Sequence, residues 1–371
     1  MNILPLDVTT VGAGVNLSNL SEGLSVKLSD PVADFEYARN AVTLTFDLSV
    51  YEHVRLKFKA MEFGDEPHAP PPGLFGDEVN FDGVAVSTDG VGWYEIQALR
   101  SLRSDRYTVF DIDLDAALAA LGLSYGSTVC LRFCQYDNNP APMDGFSIQD
   151  IELTGDTLPP FLHLTMDDNA ATPVVLDSAE GAHHQTFESP SGDPNTNAHS
   201  VPGMVETALA FAGPDYINMG SVANSLLVEN HDFAISFWLK SEGAHGTTYD
   251  FLVGNRAYDE SVGVYWYTYN GNLYCWIRSE VFSHLHKWSG GDDGEWHHYV
   301  TQRRGMRIEI WRDGILGTSD DEAANSASLV GGNFYIGKTA SGGPSAGVID
   351  DLCVYDRTLL DWEIEDMSQA D

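Results

Sequence analysis

The chain has 371 residues, 43% of them hydrophobic, and carries 19 Lys and Arg against 55 Asp and Glu for a formal net charge of −36. That length accommodates two ordinary domains, each able to bury its own core. The charge disfavours any partner that must be held by clustered cations, so neither nucleic acid nor an anionic membrane surface is expected, and it reads first as a device for solubility.

The N-terminal residues Met1 to Asp7 lack the basic region and apolar core of a secretory signal. The expectation is a protein that stays where it is made, or a mature form whose leader is gone. No run approaches the roughly 18 apolar residues of a membrane span, so membrane insertion is not expected. Residues 1–30 are rich in Ser, Gly and Asn and read as an arm or an edge strand. From 31 to about 155 a β domain is predicted. Val42, Leu44, Phe46, Leu48 and Val50 alternate with polar residues, and Val54, Leu56 and Phe58 alternate with Arg55, Lys57 and Lys59. Period two with one apolar face is the pattern of antiparallel strands. The prolines between 67 and 72 mark a surface loop. One helix is predicted over Asp113 to Leu121, with Gly122 available for the turn that ends it.

Around that helix stand Phe81 to Gly90, Trp93, Asp111 to Leu114, Cys130 to Phe133 and Asp144 to Ile151. Their order resembles the jelly-roll modules of the MAM and galactose-binding-like type, which implies an eight- to nine-stranded sandwich. The cysteine pairs of MAM domains have no counterpart here. Four cysteines are too few for a disulfide scaffold. Cys130 and Cys134 lie about 13 Å apart along a strand, too far to bridge. Pairing of Cys275 with Cys353 stays open, and buried free thiols are the default expectation.

After the break at Gly155 to Pro160, a second domain is predicted over 160–371. Phe161-Leu162-His163-Leu164 with Asp167-Asp168, Leu176-Asp177-Ser178, Ala208 to Phe211, Tyr216 to Met219 and Phe233 to Leu239 open it. Trp296-His297-His298-Tyr299-Val300, Ile308 to Gly314, Phe334 to Gly337 and Gly347 to Tyr355 close it, before a short acidic helix from Leu359 to Met367. This order resembles laminin G-like domains of the concanavalin A-like lectin/glucanase superfamily. The fold class expected is therefore all-β: two tandem antiparallel β-sandwich (jelly-roll) domains with one or two short helices.

Asn270-Gly271 is the preferred dipeptide of a two-residue type I′ hairpin turn. If it closes the turn, Tyr265, Tyr267, Tyr269, Tyr274 and Trp276 share one face, and Val264, Trp266, Leu273, Cys275 and Ile277 share the other. The second set is the natural core face. Five rings on the outer face would then stack on sugars, meet another subunit, or lie under another part of the chain. A one-residue slip in register would exchange the faces.

The laminin G-like resemblance implies a shared cation near the first and last strands, at positions matching Asp168, Asp177 and Asp350 here, with Asp351 a substitute for Asp350. Ca2+, a hard cation that prefers several oxygen ligands, is the ion such a set would hold. Asp82, Asp144 and Asp150 form a weaker set in the first domain. The histidine pairs lack a HExxH spacing, so His297 and His298 read as structural. Glycoside hydrolases of this fold need two carboxylates about 5 to 9 Å apart, and no ExDxxE-type run occurs. Asp111, Asp113 and Asp115 read as helix N-terminal charges, and Asp361, Glu363, Glu365 and Asp366 as a solvated helix face. No dinucleotide fingerprint is present.

The expectation is a non-enzymatic recognition and assembly protein whose sandwiches bind a glycan or cell-surface polysaccharide and other protein subunits, as a homo-oligomer or larger assembly. A phage-type virion surface is one setting. The mature binding portion of an extracellular bacterial adhesin or polysaccharide-degrading system is the alternative.

Overall fold

A computed structural model describes residues 3–11, 15–18, 24–29, 38–64, 68–137, 145–242, 249–256, 262–338 and 345–369. The residue at which the first domain was expected to open, 31, and Asp144 lie outside them. The chain divides into two compact units, Met1–Leu158 and Pro159–Asp371. Among the described residues no helix is long and apolar enough to cross a membrane.

The first unit contains β1 (Asp7–Val11), β2 (Val15–Ser18), β3 (Leu24–Ser29), β4 (Ala38–Phe46), β5 (Tyr51–Glu62), β6 (Gly83–Ser87), β7 (Tyr94–Ala98) and β8 (Thr108–Asp113). Helix α1 (Leu114–Leu121), β9 (Val129–Asp137) and β10 (Gly145–Thr157) complete it. Two five-stranded antiparallel sheets run β1-β4-β9-β6-β7 and β2-β3-β10-β5-β8. The N-terminal stretch thus supplies an edge strand to each sheet, while β3 sits inside the second. Val42, Leu44 and Phe46 of β4, Leu56 and Phe58 of β5, and Leu131 and Phe133 of β9 are all buried, as alternation predicts.

The strand predicted to run through Val50 ends at Phe46. There the Asp47 carboxylate accepts from the backbone N–H and hydroxyl of Ser49, a local turn that competes with the ladder. Helix α1 forms where predicted: Asp113 accepts from the Ala116 N–H at 2.9 Å, and Gly122 closes it at φ 71°. Asp113→Ala is therefore expected to cost the first unit about 1 kcal/mol in a chemical denaturation curve. Asp111 and Asp115 do more than charge the helix start. Asp111 pairs with Arg55 at 2.9 Å, and Asp115 accepts from the N–H groups of His53 and Val54.

The second unit begins with β11 (Leu162–Leu164), β12 (Val174–Val175), β13 (Gln185–Glu188), β14 (Ser200–Pro202), β15 (Thr207–Gly213) and β16 (Tyr216–Gly220). Its middle strands are β17 (Phe233–Ser241), β18 (Tyr249–Gly254), β19 (Gly263–Tyr269), β20 (Asn272–Arg278) and β21 (Ser283–Trp288). The last are β22 (Trp296–Arg304), β23 (Arg307–Arg312), β24 (Ile315–Asp321), β25 (Phe334–Ile336) and β26 (Ser345–Tyr355), followed by α2 (Asp361–Met367). One sheet runs β14-β15-β26-β17-β22-β23-β24, with β11 also paired to β26. The other runs β12-β13-β16-β25-β18-β19-β20-β21. Both are antiparallel, and their facing sides share one core that includes Phe187, Phe211, Phe237, Trp266, Tyr299 and Leu352.

Two details correct the reading of the sequence. Glu363 is not on a solvated face. It is buried, meets the Arg357 guanidinium through two bonds of 2.8 Å, and accepts from the Leu360 N–H that starts α2. All four cysteines are free and buried: Cys275 lies in the shared core, whereas Cys353 lies in a separate cluster under α2 with Tyr355, Leu359 and Ile364.

Candidate ligand-binding face

The hairpin β19–β20 adopts the predicted register: Tyr265 faces Trp276, Tyr267 faces Tyr274 and Tyr269 faces Asn272. Asn270 and Gly271 take φ values of 52° and 72°, both left-handed, as a type I′ turn requires. Val264, Trp266, Leu273, Cys275 and Ile277 all enter the core. The five predicted rings are thereby forced together on the opposite side of the sheet.

Two further rings, Tyr249 and Phe251 of β18, join them, so the cluster has seven. Its centre is sealed, with Tyr265 and Tyr267 only 3% and 5% exposed. Tyr249, Tyr269, Tyr274 and Trp276 are half-buried around that centre. The rings cover one another. Tyr267 and Tyr274 are parallel to within 7° at 4.9 Å, Tyr249 and Tyr269 to within 13° at 4.2 Å, and Tyr265 and Tyr267 to within 20° at 4.9 Å. Burial, with neighbouring phenols adding to it, pushes the Tyr267 hydroxyl up from its ordinary pKa, so it stays a hydrogen-bond donor.

Charge enters from one side. The Arg256 guanidinium lies 3.9 Å over the Trp276 ring and 5.1 Å from that of Tyr265. Trp276 donates its indole N–H to the Ser283 hydroxyl at 2.8 Å, which fixes the ring plane. The face thus presents half-exposed ring edges and phenols on a rigid bed. Tyr249 and Phe251 are missing from the sequence reading because a bulge between Phe251 and Val253 interrupts the alternation of β18. Arg256 follows that strand with no local signal at all.

The three carboxylates assigned to a cation are not brought together. Asp168 accepts from the Leu176 N–H through both oxygens, and Asp177 accepts from the N–H groups of His163, Ala179 and His183. Asp350 is fully buried and accepts from Met204 and Val205 through one oxygen, while its other oxygen has no partner among the described residues. Burial pushes its pKa up to about 6. The neighbour whose charge reaches both Asp168 and Asp350 is Asp167, not Asp177. Among the described residues, no set of three donor atoms within 4.8 Å includes these carboxylates. Calcium takes six to eight oxygens at about 2.3 to 2.6 Å, backbone carbonyls among them. In the first unit, Asp82 is spent on His68 and the Tyr136 N–H, and Asp150 on Lys59.

Two packed antiparallel sheets with a ring-lined outer face define a lectin-like β-sandwich. Residues 211–365, which contain this hairpin and Asp350, match the laminin G-type family described as the concanavalin A-like lectin/glucanases superfamily. No protein with a curated description matches the chain. Among solved structures, domain 4 of AbnA, an extracellular GH43 arabinanase of Geobacillus stearothermophilus determined with arabinotriose, is similar at 20% identity and a TM-score of 0.43. That match covers 57% of this chain and 98% of that one. The CBM40 of the Ruminococcus gnavus IT-sialidase, bound to α2,3-sialyllactose, is similar at 16% identity and a TM-score of 0.37, covering 43% and 96%. The receptor-binding domain of the botulinum neurotoxin C/D mosaic serotype is similar at 13% identity and a TM-score of 0.43, covering 57% of this chain and 51% of its own. The fold assignment rests on the family match and the strand order above.

Proposed function

We propose that the second unit recognises a neutral glycan through the outer face of the β19–β20 hairpin, without catalysis. The observation that carries this reading is the pairing of sealed and half-exposed rings. Tyr265, Tyr267 and Phe251 anchor the bed, and Tyr249, Tyr269, Tyr274 and Trp276 are offered to a ligand in fixed orientations. Aromatic side chains held this way give contact area at little cost in entropy, and their phenols add donors and acceptors for sugar hydroxyls. A net charge of −36 favours neutral over sulfated or sialylated chains. In this reading the protein is an accessory of a phage-type particle or of a secreted polysaccharide-degrading system. Display in several copies would raise a weak single-site affinity.

Electrophoresis through gels containing soluble neutral polysaccharides tests the site. The wild-type chain is expected to be retarded by one of them, and Tyr274→Ala or Trp276→Ala to restore free mobility. Equal retardation of both variants would take this hairpin out of the binding site.

One observation favours a second reading, a subunit interface. β21 is the edge strand of the sheet, and it places Leu285, 52% exposed, directly opposite Trp276. An open edge beside exposed apolar side chains is suited to pairing with another copy. A sedimentation measurement that gives a stable oligomer, dispersed by Leu285→Lys, would support that use of the face.

A further inference from the structure

We propose that the second unit also holds a transition-metal ion of the zinc class on the outer side of its other sheet, with His163, Asp351, Cys353 and His298 as ligands. The site is separate from the ring face and does not depend on glycan binding.

Strand pairing brings the first three ligands together. His163 of β11 lies opposite Cys353 of β26, and Ser236 of β17 lies opposite Cys353 on the other side. The β17–β26 ladder shifts register between Ser236 and Trp238, and Asp351 takes a left-handed φ of 48°. That bulge lets Ile349 and Leu352 both stay in the core with only two residues between them. Asp351 is thereby turned to the same side as Cys353, where it is hydrogen-bonded to the His163 ring. One donor atom from each of His163, Asp351 and Cys353 lies within 4.8 Å of the others, the one such set among the described residues.

A separate observation concerns a residue of the same cavity wall. His298 is only 3% exposed, and its Nδ1 has no hydrogen-bond partner among the described residues. It lines, with His163, Asp351, Cys353, Ser236 and Trp238, a cavity of about 410 Å³. A buried imidazole nitrogen left without a partner is costly unless something occupies its lone pair or takes its proton.

The donor chemistry selects the ion. A thiolate and two imidazoles are ligands for zinc and its neighbours, whereas calcium and magnesium take oxygen. Tetrahedral coordination with bonds of about 2.0 to 2.3 Å sets donors roughly 3.5 Å apart, so the observed spread closes with small side-chain shifts. Binding releases to solvent both the Cys353 thiol proton and the proton shared between His163 Nε2 and Asp351, and that hydrogen bond gives way to two metal bonds.

Co2+ titration of the full-length, untagged, chelator-treated chain tests this. The expected result is a near-ultraviolet thiolate-to-cobalt charge-transfer band with tetrahedral visible bands, both bleached by Zn2+. Cys353→Ser should abolish the charge-transfer band, and His163→Gln and His298→Gln should each weaken binding by about tenfold or more. If Cys353→Ser does not fold, His298→Gln carries the same comparison, because its Nδ1 gives up no hydrogen bond among the described residues. A wild-type chain with no thiolate band, a band that persists in Cys353→Ser, or an affinity unchanged in both histidine variants would overturn the site.

Discussion

Trp266→Ala is expected to destabilise the second unit by about 3 to 5 kcal/mol, the cost of emptying a large aromatic site in a packed core. Trp266 is 1% exposed and touches Phe237, Trp288 and Tyr299, with ring centroids 5.6, 5.5 and 5.0 Å away. It also sits between Tyr265 and Tyr267 in β19, so its core side holds the ring face in register. Glycan retention should therefore fall together with stability, although Trp266 faces away from the ligand. Trp266→Phe separates the two effects. The indole N–H has no partner among the described residues, so the phenyl ring loses area but also removes an unpaired donor. It should keep both fold and binding. Urea unfolding followed by tryptophan fluorescence reads this directly, since all eight tryptophans except Trp93 lie in the second unit.

Arg303→Ala is expected to cost a similar amount, about 4 kcal/mol, for a different reason. This guanidinium is fully buried and donates to the backbone carbonyls of Val228, His231 and Ala327, with those of Asn325 and Ser326 at 3.4 Å. One side chain at the end of β22 thus ties the segment before β17 to the segment after β24. Truncation takes the guanidinium donor from the part-buried carbonyls of Val228, His231 and Ala327, each worth about 1 to 3 kcal/mol where it is left orphaned. Arg303→Lys should recover only part of the loss, because an ammonium cannot reach along the same planar fork. Full recovery by lysine, measured as an unchanged urea midpoint, would show that only the charge matters.

The hairpin was legible from the sequence because its determinants are local. Asn270-Gly271 sets the turn, strict alternation on both sides sets the faces, and no bulge intervenes. Helix α1 was legible for the same reason, from Asp113 and Gly122 at its ends. What failed lay outside strand and helix periodicity. Glu363 reads as a helix-surface charge until Arg357, six residues earlier, folds back onto it. Asp350 and Asp351 read as interchangeable neighbours, but a bulge in β26 gives them separate surroundings, Met204 and Val205 for one and His163 for the other. Periodicity reports which side of a strand is buried; it does not report where a distant strand slips by one residue.

The ring face is central to this account. A glycan array probed with the full-length chain and, in parallel, with Tyr274→Ala/Trp276→Ala tests it most directly, once urea unfolding has shown the variant to be folded. The wild-type chain is expected to bind neutral glycans and the double variant to lose them. A wild-type chain that binds no neutral glycan, or a folded double variant that binds the same glycans equally well, would contradict it.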